Sequence, residues 1–138
     1  MKKILKLGII SAVVVLAIGM ILNRILQIVF PSLVSEYQNP SLFRPWSDPI
    51  MSVYFIYPFI LGILLAWIWL KTKSLLEGKS NLKKGIYFGI AYWIVASIPG
   101  MVISYSSFQM SLLMILSWTF SGLIQAISAG LIFSHLDK

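Results

Sequence analysis

Side chains able to do chemistry are few in this sequence. Asn23, Arg24 and Gln27 interrupt an otherwise apolar run, and Arg44 follows in the next loop. Amides beside two guanidiniums suit a phosphate or a carboxylate, because arginine presents a planar fork of N–H donors. These four residues form a candidate ligand-binding group. At 1.5 Å per residue, a helix opened at Ile4 carries Arg24 about 30 Å from its start, near the far membrane interface. A plainer role is open to it there, either snorkelling to headgroups or pairing with Glu36 or Asp48.

A second polar set lies late in the chain. Gln125 sits deep in an apolar run with Ser117, Ser121 and Ser128 beside it. Ser117, Ser121 and Gln125 are expected to make hydrogen bonds between helices, each worth roughly 1 kcal/mol. As an ion path they are poor, since proton-coupled transport generally uses an intramembrane acid and no Asp or Glu falls within an apolar segment.

Catalytic constellations are missing from the sequence. There is one histidine, His135, and no cysteine, so neither a thiolate site nor a paired-imidazole metal site can form. Glu36 and Asp48 are the only carboxylates of the long loop, and Asp48-Pro49 reads as a helix cap. No Gly-rich phosphate loop or HExxH motif occurs. The expectation is a protein without catalytic residues, metal or cofactor, and not an enzyme.

The elements that must position these residues are apolar and long. Four segments, at about 4–30, 50–70, 85–105 and 108–133, each reach the roughly 20 residues that cross a bilayer. The chain is 59% hydrophobic and only 11% charged, against about a quarter charged in soluble domains. The fold class expected is therefore all-α: an integral membrane protein whose four transmembrane helices form one antiparallel bundle spanning residues 1–138. Ser106-x-x-Gln109 has the form of a capping box that would open the fourth helix near Phe108. Pro58 and Pro99 fall inside spans and should kink them.

Charge placement sets the orientation. Lys2, Lys3 and Lys6 precede the first span, Lys71, Lys73, Lys79, Lys83 and Lys84 fill the 71–84 loop, and Lys138 ends the chain. The opposite side holds only Arg24 and Arg44. Both termini are thus expected in the cytoplasm, with loop 31–49 outside. The net charge of +7 then reflects topology and anionic lipid, not nucleic acid. Trp46, Tyr54, Tyr57, Trp67, Trp69 and Tyr105 fall where an interfacial aromatic belt would lie.

Each segment also carries a stripe of small residues. The stripes include Gly8 and Ala12, then Gly62 and Ala66, then Gly85 and Gly89, then Gly122, Ala126 and Gly130. Such stripes pack helices in lipid, either within one bundle or against a second copy, for which the fourth segment is the best candidate. Functionally, the sequence points to a small multi-pass membrane protein acting as a structural or interaction subunit. Its partners would be the bilayer and a second copy or another membrane protein. The alternative is a small transporter, or a binder of lipid or anionic solute, with an outward pocket near Arg24.

Overall fold

The computed structural model describes residues 1–137 and is all-helical among them. The chain runs through α1 (Lys2–Val29), α2 (Ser32–Tyr37), α3 (Val53–Thr72), α4 (Asn81–Tyr92), α5 (Ile98–Ser107) and α6 (Leu112–Leu136). A 3-10 turn, Pro49–Ser52, leads into α3, and a second, Lys73–Leu76, follows it. The π-helical segment Trp93–Ser97 joins α4 to α5. Counting these extensions, four continuous helices are long and apolar enough to cross a membrane: Lys2–Val29, Pro49–Leu76, Asn81–Ser107 and Leu112–Leu136. Lys138 lies outside the described residues.

Local chemistry sets the helix starts. Asp48 accepts the Ile50 N–H at 2.9 Å, with Pro49 in the first helical position, where its missing N–H costs nothing. Ser80 caps α4, and Ser111 caps α6 by accepting the Met114 N–H at 3.1 Å. The fourth long helix therefore opens at Leu112, not near Phe108. The Ser106 hydroxyl instead donates to the Ile103 carbonyl behind it, so the apparent capping box closes one helix and does not open the next. Gly78 adopts φ +80° in the loop between α3 and α4, a conformation costly for any residue with a Cβ.

Packing follows the glycines. Gly8 lies against the Ile63 backbone, where an added Cβ would come within 2.6 Å of Ile63 Cα. Gly62 faces the Gly8 carbonyl in turn. Gly89 faces the Ala126 carbonyl and Ile127 Cα, both 2.6 Å from an added Cβ, and Gly85 and Gly130 meet one turn further along. Residue 8 opposite 63, 85 opposite 131 and 89 opposite 127 give antiparallel registers. The molecule is thus two glycine-zipped pairs, α1 with α3 and α4 with α6, joined along α1 and α6. The fourth-segment stripe is consumed inside the chain, since Ala126 and Gly130 meet α4.

Core packing is concentrated at one end. Leu7, Leu65, Ala66, Trp69, Phe88, Ala129 and Phe133 form the buried cluster. Within it Trp69 and Phe88 stack edge to face at 5.3 Å. This is the lysine end, holding the chain start, the 71–84 loop and Asp137. The opposite, loop end holds residues 30–48 and the turn 108–111. Facing outward along the helices are long aliphatics such as Ile28, Val95, Val102 and Ile103, 64–76% exposed.

These contacts predict opposite outcomes for two glycines of one continuous helix. Gly89→Val forces backbone apart at α6 and should cost about 2 kcal/mol or more, seen as a lower midpoint of thermal unfolding in detergent. Gly100→Ala meets nothing within 4 Å and should leave that midpoint unchanged or slightly raised.

Candidate functional site

Above the aromatic cluster the two helix pairs no longer close on each other. A cavity of about 620 Å³ lies between α1, α3 and α6 and extends to the loop end. That volume is within the usual range for small-molecule sites. Its wall on α3 is apolar and aromatic, including Tyr54, Tyr57, Pro58 and Leu61. Its wall at the α1–α6 junction is polar, with Ser11, Asn23 and Gln27 from α1 and Ser121 and Gln125 from α6.

The polar wall is neutral and mostly uncommitted. Gln27 Nε2 donates to Asn23 Oδ1 at 3.1 Å, which leaves three N–H donors and the Gln27 carbonyl of that pair without a protein partner among the described residues. Gln125 lies across from Gly19, whose missing side chain makes room for it: an added Cβ there would be 3.1 Å from Gln125 Nε2. Gln125, Ser121, Ser97 and Ser11 have no side-chain hydrogen bond to protein among the described residues. Ser11 is only 1% exposed and still lines the cavity. Ser97, Ser121 and Gln125 are half-buried and face the open space of the cavity, so their polar groups are accessible from it.

A lid covers the loop end. Val34, Tyr37 and Gln38, in and just after α2, line the cavity together with Phe43, Arg44 and Trp46 of the following loop. Two contacts pin this segment to α6. Glu36 accepts the Ser111 N–H and hydroxyl, both at 2.6 Å, and Tyr37 Oη accepts the Trp118 indole N–H at 2.6 Å. Burial pushes the Tyr37 phenol above its ordinary value, so it remains neutral. Tyr37, Phe43 and Trp118 cluster with ring centroids 5.3–6.5 Å apart.

The structure divides the sequence-selected residues. Asn23, Gln27 and Arg44 come together on the cavity, while Arg24, one position from Asn23, is exposed and outside the lining. Arg24 makes no ion pair among the described residues. The pairing open to it in the sequence is taken elsewhere: Arg44 holds Asp48 at 2.9 Å and Glu36 holds Ser111. Among Ser117, Ser121 and Gln125, expected to bond between helices, Ser117 instead donates to the Met114 carbonyl of its own helix at 2.7 Å. Ser121 and Gln125 turn to the cavity. Glu36 and Asp48, each tied to its own partner, form no acid–base pair with each other.

Sequence reasoning missed the polar knot at the lysine end. Asp137 caps α6, and its side chain is fully covered. Oδ2 accepts the Trp69 indole N–H at 2.7 Å and the Lys73 ammonium at 2.8 Å, and Oδ1 faces the Lys3 ammonium. Trp69 is therefore buried in the core and not a belt residue. A smaller cavity of about 260 Å³, lined by Lys73, Glu77, Asn81, Lys84, Ser134 and Asp137 among others, adjoins this knot. Burial alone would raise the Asp137 carboxyl, but Lys3, Lys73 and Trp69 outweigh it and hold it below the usual carboxylate value. No cluster of metal-ligating residues occurs among the described residues.

No family model matches the chain, and neither a curated protein nor a solved structure resembles it.

The knot has a signed pH dependence. A carboxyl whose pKa falls on folding stabilises the fold fully above its unfolded value of about 3.9, and that contribution is lost as pH drops through the folded value. Asp137→Asn should cost about 2 kcal/mol at pH 7, the scale of hydrogen bonds to a charged group. The gap between wild type and variant, read from thermal unfolding in detergent, should stay constant from pH 7 to 5 and narrow below about pH 4.

Proposed function

We propose that this protein is a multi-pass membrane protein that binds a small molecule in its central cavity, as a carrier or as the binding subunit of a larger assembly, without catalysis of its own. The observation that carries this reading is the cavity, with its row of uncommitted hydrogen-bonding groups facing an apolar wall. Sites for small molecules combine apolar lining with a few placed polar groups in this way. In a purely structural subunit such groups would serve as hydrogen bonds between helices, which Ser121 and Gln125 do not make among the described residues. Its small-residue faces, moreover, are largely spent on contacts within the chain.

Membrane insertion is supported by the four long apolar helices and by aliphatic side chains turned outward along them, an arrangement that water would disfavour. We place the lysine end in the cytoplasm, with both termini, and the lid outside, on the excess of lysine at one end. The cavity then opens towards the outer face.

Two measurements test these assignments. The chain has no cysteine, so single-cysteine variants report sidedness directly. In intact cells, Ser41→Cys should react with a membrane-impermeant maleimide and Lys79→Cys should react only after lysis; equal reactivity in intact cells would refute the orientation. For binding, Ser121→Trp fills the cavity from α6. Solvent extracts of purified wild-type protein should contain a small molecule that extracts of this variant lack. Identical extracts from two equally folded proteins would argue for a structural role instead.

A further inference from the structure

The cavity lining restricts the charge and the shape of what it can hold. Arg44 is the one charged residue in the lining, and it sits at the loop end with its charge committed to Asp48 at 2.9 Å. No carboxylate lines the cavity. An ionised ligand seated deep between the helices would therefore be desolvated without a counter-charge, a penalty of several kcal/mol. What the deep wall does offer is neutral on every side: the Gln125 amide and the Ser11, Ser97 and Ser121 hydroxyls, all without protein partners among the described residues. Both donors and acceptors are present in that set.

Shape follows from the rings that border the cavity. Tyr54 and Tyr57 on α3, Tyr92 at the end of α4 and Trp118 on α6 all border the same space. Aromatic side chains gain roughly 0.5–1.5 kcal/mol per ring pair beyond area burial when another ring stacks on them. A flexible acyl chain would collect area burial only and would lose rotamer freedom on entry.

Resting on the binding role proposed above, we infer that the ligand is an uncharged, ring-containing molecule, aromatic or heteroaromatic, whose polar edge bonds the Ser11–Gln125 row while its ring faces stack on the tyrosines of α3 and α4. An anionic solute, which the sequence suggested through Arg24 and Arg44, is disfavoured because one guanidinium lies outside the cavity and the other is already paired.

Three probes separate the features. 2-Naphthamide is neutral with a ring, 2-naphthoate is its anionic counterpart at pH 7, and decanamide keeps the amide but replaces the ring with a chain. Binding to full-length protein in detergent is measured by equilibrium dialysis at pH 7, with Ser121→Trp as the filled-cavity reference for partition into the micelle. The expected result is that 2-naphthamide binds the wild type at least tenfold more tightly than either other probe. Gln125→Leu and, independently, Ser97→Ala should each weaken it three- to tenfold. Thermal unfolding checks that both variants are folded.

Naphthoate binding as tightly as the amide would overturn the neutral class while leaving the binding role intact. Decanamide binding as tightly would overturn the ring requirement in the same way. If no probe bound the wild type above the filled-cavity reference, and its solvent extract matched that of the reference, the binding role itself would fail and this inference with it.

Discussion

Direct contact of helix backbones at glycine is the constraint from which the remaining architecture follows. Gly8 against Ile63 and Gly89 against Ala126 bring main chains together with no side chain between them. Apolar side chains gain little by leaving lipid for a protein interior, so helices in a bilayer associate through such close packing. These contacts fix two antiparallel pairs, and they are confined to the half of the molecule nearer the lysine end. Towards the loop end the glycines no longer meet backbone: Gly19 faces the Gln125 side chain, and Gly122 faces the side chains of Ser97 and Trp93. Side chains, not main chains, meet there, and the space they border is the cavity. The stripes thus account for the closed end, whereas at the open end their members Gly19 and Gly122 border the cavity.

The closed end is sealed by polar chemistry as well as by packing. Asp137 gathers Lys3 from the start of the chain and Trp69 and Lys73 from the end of α3. One carboxylate therefore ties three of the four long helices together at the lysine end. Its desolvation is offset because two cations and an indole N–H converge on it, and because both lysines remain partly exposed, at 48% and 42%. A fully buried pair would recover less of that cost. The lid is built on the same principle with different groups, since Glu36 and Tyr37 attach it to Ser111 and Trp118 of α6. Helix α6 receives both attachments and serves as the spine of the molecule.

Periodicity and charge made much of this architecture legible beforehand. Four apolar runs gave four long helices, Asp48-Pro49 marked a helix start, and small residues every three or four positions marked the close contacts. These features are local, or repeat along a single helix, so one sequence displays them. Charge in an apolar run draws attention to Arg24, but its angular position on α1 decides whether it faces inward, and it lies exposed outside the cavity lining. Asn23 and Gln27 are four apart and share a face; Arg24 is rotated about 100° away from Asn23. Asp137 is not legible in the sequence because its three partners are distant along the chain, and nothing in His135-Leu136-Asp137 announces them. Gln125 was seen, but its role depended on whether another helix offered a partner. Gly19 supplies space opposite it instead.

The third long helix carries the last element of the site, and a proline accounts for its form. Pro99 has no N–H to bond the Val95 carbonyl, and its ring presses on that turn. The chain answers with the π-helical segment Trp93–Ser97, which absorbs one extra residue before the proline. The widened turn is braced where the Trp93 indole donates to the Thr119 carbonyl of α6 at 2.9 Å, while Ser97 at its far end lines the cavity. A regular helix would advance each residue by 100°, so absorbing one extra residue changes which side chains face inward from that point on. Pro58 in α3 does comparable work across the cavity, leaving the Tyr54 carbonyl without its usual helical partner on the wall that Tyr54 and Tyr57 build. Pro58 thus lines the cavity, and Pro99 stands two residues beyond Ser97, which also lines it. The departures from regular helix fall where the cavity is, and the regular, glycine-packed helix falls where the molecule is closed.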